Sequence, residues 1–408
     1  MFCEAAAPLG NPLTLSIVVV SWNDWPKLCA CLTSIFASEA LPQCEILVID
    51  NASDDDTPTL VARRFPEATV HRNPTNIGHT RAVNRGFRLA RGEYVLLLGD
   101  DDGLTPNYFR RMDEIIRQFH EPDVVYNNIY QFWHPGVAPW EPSGHVIDVR
   151  HGFFFEGRSQ PFLLDTRDAR RAALGSIRLK INFSFNSQAL LYRRSFLEKL
   201  SSDGPVYRSP FPDYYIANVA LMRSGATVIV PEPLAIAGVS KASFGFTMYN
   251  GKEAAGEALL NTKLESDPIY QDTKQRLLPG SAYNTNFVIA MEYVVRALPE
   301  LGEQVDYPRY RRIQIYSALK AIAAGQAAAD LWEQIKSRTS LLEQALGFAL
   351  YRATELAERT RVVRRIILPP LQRAVNLVGS SPRVRHCGKY EFSRVTELYE
   401  AFAKGTLS

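Results

Sequence analysis

Tyr94-Val95-Leu96-Leu97-Leu98-Gly99-Asp100-Asp101-Asp102-Gly103 is the stretch on which the fold turns. An unbroken apolar run with no polar alternation predicts a strand buried on both faces, as in a parallel sheet. Asp100, Asp101 and Asp102 follow at once, and Gly103 and Pro106 turn the chain. Adjacent carboxylates repel one another, so a packed fold keeps them together when something cationic is near. A solvated acidic turn is the other reading. Position favours the first, because open α/β sheets bind ligands at the carboxyl ends of their strands. Hard divalent cations such as Mg2+ or Mn2+ take oxygen ligands and leave part of their shell for phosphates.

Upstream, Leu15–Val20 is a second buried run that ends in Ser21-Trp22-Asn23-Asp24, and Pro26 opens a helix to about Ser38. Ile46–Ile49 is a third, stopping at Asp50-Asn51-Ala52-Ser53. Asp54–Asp56 with Thr57-Pro58 predicts an acidic helix start, and the helix runs to Arg64. A short strand at Thr69–His71, the turn-rich loop Asn73–Gly78 and a helix over Thr80–Ala90 complete the approach. Beyond it come a helix over Asn107–Phe119 and a strand at Val124–Tyr126. This alternation predicts βαβ units and an α/β fold with a mostly parallel sheet flanked by helices.

Residues 1–125 therefore read as one half of a domain and 126–248 as its second half. In the latter, Gln188–Tyr192, Thr227–Val230 and Leu234–Gly238 are predicted strands; Arg194–Leu200 and Pro212–Arg223 are predicted helices. Residues 249–408 read as an all-helical C-terminal domain, with helices over Glu253–Leu264, Ala282–Leu298, Arg309–Ala324 and Ala327–Ala345.

The chain has 408 residues, 46% hydrophobic and 22% charged, which suits a large globular core split over more than one unit. A net charge of +3 gives no support to a nucleic-acid partner. Five cysteines (Cys3, Cys29, Cys31, Cys44, Cys387), odd in number and without a CxxC pair, point to reduced thiols and a cytoplasmic setting. The first residues lack a basic and apolar leader pattern, and no apolar run reaches the length of a membrane span.

Asp50 and the Asp100–Asp102 cluster end different strands, so a doubly wound sheet brings their carboxylates to one crevice. A nucleotide-diphosphate ligand uses such groups in three ways: for base N–H, for ribose hydroxyls, and for a metal that neutralises phosphate. No G-x-G-x-x-G follows the first strand and no P-loop exists, so a metal is the more plausible diphosphate ligand.

LSIVVVSWN, then EILVIDNASDDDT, then NPTNIGHTRAVNRGFRLARGEYVLLLGDDDGLTP resemble the donor-binding half of family 2 glycosyltransferases over roughly residues 13–125, and more weakly to 245. The resemblance implies a GT-A-type fold, a D-x-D-type metal motif and an inverting transfer of sugar from a nucleotide-diphospho-sugar. The implied acceptor is a saccharide or a lipid-linked saccharide. It implies that Asp50 meets the nucleobase, that Ser21 and Asn23 line the base pocket, that Asp100 or Asp101 meets the ribose, and that Asp102, with Asp100, holds Mg2+ or Mn2+. Gly99 stands where many members carry a further Asp. The family's general base falls at the start of a helix, which here is Asp213, preceded by Pro212 where an acid is common. A helix N-terminus is expected to lower the pKa of Asp213; Asp203 is the fallback. Lys241, in Gly238–Gly245, and Arg81 are candidate diphosphate cations, and His79 a candidate metal ligand. Each is equally readable as an ordinary surface or packing residue. Two alternatives stand beside this: a non-catalytic glycan- or nucleotide-binding module, and a sugar nucleotidyltransferase, whose Gly-rich loop is missing. Trp133, Trp140, Phe153–Phe155 and Tyr207 are candidates for the acceptor side or for core.

From Arg359 to Tyr390 there are eight Lys or Arg and no acid, interleaved with Val, Ile and Leu. That composition suits a peripheral contact with the inner membrane face, or a helical core with a basic rim. Pro369-Pro370 argues against one long helix there.

Overall fold

The computed structural model describes residues 14–38, 43–137, 144–150, 152–155, 157–241, 243, 246, 261, 264–326, 328, 330–359, 366–375, 383–386, 397 and 401. In chain order the elements are β1 (Thr14–Ser21), α1 (Trp25–Phe36), β2 (Gln43–Asp50), α2 (Thr57–Arg64), β3 (Ala68–Arg72), α3 (His79–Leu89), β4 (Tyr94–Gly99), β5 (Gly103–Leu104) and α4 (Tyr108–Gln118). Then come β6 (Val124–Trp133), β7 (His145–Arg150), α5 (Gly152–Phe155), β8 (Phe162–Leu163), α6 (Thr166–Ile177), β9 (Leu190–Arg193), α7 (Arg194–Ser201), α8 (Pro212–Arg223) and β10 (Thr227–Val239). The C-terminal region is helical: α9 (Pro268–Thr273), α10 (Ala282–Ala297), α11 (Tyr307–Ala323), α12 (Leu331–Lys336), α13 (Leu341–Arg359) and α14 (Leu368–Val375), with one strand, β11 (Arg383–His386).

One sheet runs β11-β7-β6-β9-β4-β1-β2-β3. Its β3, β2, β1 and β4 are parallel, as runs such as Ile17–Val20 and Val95–Leu98, apolar on both faces, require. β9 enters antiparallel between β4 and β6, and β10 lies parallel to β6. α10 packs against α6 and α8, so Phe287–Met291 share the core that begins at Leu15.

Several elements differ from expectation for local reasons. The strands expected at Thr227–Val230 and Leu234–Gly238 are one strand, whose register shifts around Pro233, a residue unable to donate to the ladder. α6 was not expected; Asp165 caps it by accepting from the Arg167 amide at 2.6 Å. The helix expected over Ala327–Ala345 is two. Ser340 and Glu343 form a reciprocal capping box that starts α13, with the Ser340 amide 2.8 Å from Glu343 Oε2 and the Glu343 amide 3.3 Å from Ser340 Oγ. The prolines at 369 and 370 occupy the first turn of α14, where a missing amide costs nothing. Cys3, Cys387, Trp140, most of Glu253–Leu264, and within 359–390 residues 360–365, 376–382 and 387–390 lie outside the described residues. Among the described residues Cys29, Cys31 and Cys44 are free, and no helix is long and apolar enough to cross a membrane.

Candidate active site

The register of three strands sets the site. Ser21 at the end of β1 pairs with Asp50 of β2, and Val20 pairs with Gly99 of β4, so Asp50 and Asp100 end up level on either side of Ser21. Ser21 Oγ donates to Asp100 Oδ2 at 2.9 Å, and the Trp22 amide approaches the same oxygen at 3.4 Å. The strand ends that carry these carboxylates are therefore level at one rim.

Asp50 is fully buried. Its Oδ1 accepts from the Ser53 amide at 3.1 Å, and its Oδ2 accepts from Arg72 at 3.1 Å. Arg72 also donates to the Ser53 carbonyl at 2.8 Å while half of its side chain faces solvent. Asn51 ties this pocket to the next loop: its Oδ1 accepts from Asn73 Nδ2 and from the Ile77 amide, and its Nδ2 donates to Asn76. Asn23 is held in the left-handed region at φ 54°; its Oδ1 accepts from the Asp54 amide and its own amide donates to Ser53 Oγ. Asparagine tolerates that conformation better than most residues.

The three acidic residues at the rim are built differently. Asp102 folds back: its Oδ2 accepts from the Gly99 amide at 2.6 Å, and its Oδ1 from Gln188 Nε2 at 3.1 Å and the Gly238 amide at 3.2 Å. Asp101 Oδ2 accepts from Ser243 Oγ at 2.6 Å and more weakly from Ser240 Oγ at 3.4 Å. Burial, and then Asp101, push the Asp102 carboxyl well above the usual carboxylate range. Asp100 is pushed up to about 7 by burial, and then by Asp101 and Asp24, against Lys27 and Ser21. Lys27 pairs with Asp24 at the start of α1. Burial opposes its charge, yet Asp24, Asp101 and Asp100 outweigh that and hold the ammonium above its usual value. Even with that cation nearby, the three carboxyls are short of positive partners.

The donor set is all oxygen, which suits a hard divalent cation. Among the described residues no group of three or more His, Cys, Asp or Glu side chains closes around a metal position, His79 included. A cation held by Asp102 and Asp100 would therefore complete its shell with ligand oxygens. A Cβ on Gly99 would lie 3.0 Å from Asp102 Oδ2 and 3.3 Å from Asp101 Oδ1, so a side chain there crowds the carboxylates. At Gly238 a Cβ would lie 1.9 Å from the Asp101 carbonyl oxygen; only a glycine lets β10 approach the acidic turn this closely.

Asp213 sits in the first turn of α8. Ser187 donates to its Oδ1, and Ser187 Oγ lies 3.0 Å from the hydroxyl of buried Tyr207. Burial raises the Asp213 carboxyl to about 6 despite the Ser187 hydrogen bond. The helix N-terminus was expected to lower it; desolvation is the larger effect here. The segment leading to Asp213 is anchored by α3, where Asn84 holds both the amide and the carbonyl of Tyr207 (3.0 and 2.8 Å) and Thr80 Oγ1 donates to the Ser209 carbonyl.

Other candidates lie further out. Lys241 is exposed, in the loop that Ser240 and Ser243 pin to Asp101, and Arg81 is exposed on α3. His79 is lowered to about 4 by burial and so is neutral near pH 7. Asp203 is exposed in the turn after α7. Phe154, Phe155 and Tyr207 are core, with Phe155 stacked on Tyr126; Trp133 stacks on His145. Sequence reasoning missed Arg72, Ser187, Gln188 and Gly238. Only Gly238 left a signal, a glycine closing a β-branched strand.

Residues 16–200 match the family described as Glycosyl transferase family 2. Over 118 residues the chain is 34% identical to the uncharacterized glycosyltransferase YwdF of Bacillus subtilis, covering 28% of this chain and 42% of that protein. It is 31% identical over 128 residues to the PGL/p-HBAD biosynthesis glycosyltransferase Rv2957 of Mycobacterium tuberculosis, covering 30% and 48%. The chain thus spans less than half the length of these curated relatives. Among solved structures, S. aureus TarS 1-349 in complex with UDP-GlcNAc aligns with a TM-score of 0.45 at 14% identity, covering 85% of this chain and 92% of that one.

Proposed function

We propose that this chain, whose residues 16–200 match Glycosyl transferase family 2, transfers a sugar, with inversion, from a nucleotide-diphospho-sugar to a hydroxyl of a saccharide or lipid-linked saccharide. The observation that carries this reading is a cluster of three carboxyls, Asp100–Asp102, short of cationic partners at the carboxyl ends of parallel strands and beside buried Asp50. Ser21, Asn23 and Arg72 line the base side, with Asp50 positioning Arg72. Asp101 and Asp100 face the ribose. Asp102 and Asp100 would hold Mg2+ or Mn2+ together with the diphosphate oxygens, and Arg81 and Lys241 add positive charge from outside. The metal, when bound, neutralises charge on the departing diphosphate.

Asp213 is the base. With its carboxyl at about 6 it is ionised at neutral pH and is a stronger base than an ordinary aspartate. It takes the proton of the acceptor hydroxyl as that oxygen bonds to the anomeric carbon and the bond to the diphosphate breaks on the opposite face. Ser187 keeps the carboxylate aimed.

A thermal-shift screen of UDP-, GDP- and dTDP-sugars, with and without Mn2+, tests the donor side. A ligand that binds only the native state raises its melting temperature by mass action. One nucleotide sugar is expected to stabilise, more strongly with the metal. No shift from any of them overturns the reading. A donor that binds but never transfers to any saccharide acceptor would favour the non-catalytic module.

A further inference from the structure

α13 turns one face to the protein and the other to solvent. The inner face presses on α11: a Cβ on Gly347 would lie 2.3 Å from Ile315 Cγ2, Tyr351 meets Tyr316 with ring centroids 6.4 Å apart, and Thr354 and Ala357 are buried. The outer face is apolar. At about 100° per residue, Leu342, Ala345, Ala349, Ala353 and Leu356 fall within one arc of roughly 80°, flanked by Leu346 and Arg352. Leu342, Leu346 and Leu356 are 79%, 47% and 67% exposed, and Leu341 and Phe348 extend the patch at 83% and 54%. Arg352, the charged side chain beside this arc, is paired with Glu355, and Glu343, further round the helix, is held by Arg311. The arc therefore offers no unmatched charge. Exposed leucines clustered to this extent mark a contact surface.

The order of residues along the arc selects its occupant. Counted outward from Ala349, it reads alike in both directions: alanine at four residues (Ala345, Ala353) and leucine at seven (Leu342, Leu356). A two-fold contact is isologous, with residue i on residue j and j on i. An antiparallel helix pair centred on Ala349 meets that condition with like residues throughout. We propose that α13 is a self-association surface, on which two copies of the chain pair antiparallel about a two-fold axis at Ala349. Leu342 then faces the partner's Leu356, Ala345 faces the partner's Ala353, and Ala349 faces its own copy. Alanines at the centre let the helices approach closely, and leucines close both ends. Leu346 comes over the partner's Ala353, a large side chain on a small one. With no unmatched charge in the arc, like meets like without repulsion. The exposed leucines and Phe348 offer on the order of 500 Å² per copy, or about 1,000 Å² for the pair, the size of a weak, concentration-dependent contact. The surface does not depend on the donor chemistry, and the protein without any ligand tests it alone.

The experiment is sedimentation velocity of the full chain in reductant, over about 1 to 100 μM. A monomer–dimer equilibrium is expected, and Leu342→Ser/Leu346→Ser/Leu356→Ser should raise the dimer dissociation constant about tenfold or more. That variant alters exposed side chains only, so at the lowest concentration its melting temperature should match the parent. Mild oxidation tests the register. Ala349→Cys should give a covalent dimer beyond any that the parent forms, because helix axes about 8–10 Å apart bring the two Cα atoms to about 4–6 Å, within disulfide reach. Leu341→Cys, on the same exposed face, should not, since its two copies stand about 24 Å apart along the pair. A parent that stays monomeric over this range overturns the proposal and leaves the face to lipid or to another protein. So does a dimer that the serine variant leaves intact, or one in which Ala349→Cys cross-links no better than the parent or than Leu341→Cys.

Discussion

Asp50 and the Asp100–Asp102 cluster end strands on either side of β1, yet they are built in opposite ways. Asp50 is buried and matched: one oxygen accepts from a guanidinium and the other from an amide, and its neighbours Asn51, Asn73 and Asn76 are locked to one another. The cluster is left short of positive charge, with two of its carboxyls pushed up by burial and mutual repulsion. A matched buried charge gives a fixed shape, suited to reading a flat base. An unmatched one gives an appetite for a cation, suited to a ligand that arrives with phosphate. The fold tolerates that second arrangement because hydroxyls and amides from Ser240, Ser243, Gln188 and Gly238 share the load.

The sharpest way to break this contrast is Asp102→Ala. Transfer should fall by about a thousandfold or more, and the rise in melting temperature that Mn2+ is expected to give the parent should be lost. Full metal-dependent turnover would show that the cluster is not the reaction site. Next comes Asp213→Asn, where transfer should drop by about 10²–10⁴ with donor affinity unchanged by calorimetry. In the parent, kcat/KM should decline about tenfold per pH unit below the Asp213 value of about 6, because the base is then protonated. The stability sign is the reverse. A carboxyl raised on folding binds its proton more tightly in the native state, so its contribution to stability weakens as pH rises through 6. Asp213→Asn should therefore melt no lower than the parent at pH 7.5, which separates a lost base from a damaged fold.

Smaller effects sharpen the comparison. Gly238→Ala forces a methyl against the Asp101 carbonyl and should cost about 1–3 kcal/mol in chemical denaturation, loosening the acidic turn and weakening donor binding with it. Arg72→Ala uncovers the Asp50 carboxylate. Because the Arg72 side chain is half in solvent, the loss should be about 1–2 kcal/mol, well below that for a fully buried pair. Selectivity among UDP-, GDP- and dTDP-sugars should blur in that variant. Unchanged selectivity would place the base elsewhere.

Much of this site was legible in the chain. Buried strands announce themselves by apolar runs, and Asp50 and Asp100–Asp102 could be placed at strand ends because turn residues follow them directly. Ser340 and Glu343 carry a capping-box spacing in the sequence, and it divides the helix expected over Ala327–Ala345 into two. The excess of acid over base at the rim was also foreseeable from three neighbouring aspartates. The direction of the Asp213 shift was not, since desolvation depends on what packs over a carboxyl and not on where it sits in its helix.

Periodicity, turn chemistry and charge runs act between neighbours along the chain, and from them came the α/β class, the helical C-terminal region and the acidic rim. Gln188 and Gly238 reach Asp102 across 86 and 136 positions, and Arg72 finds Asp50 only after β2 and β3 pair. The exposed face of α13 likewise exists only because α11 claims the other side. Such choices belong to packing in three dimensions: a hydrogen bond or a buried face is settled by which surfaces meet, and local sequence carries no record of a partner a hundred residues away.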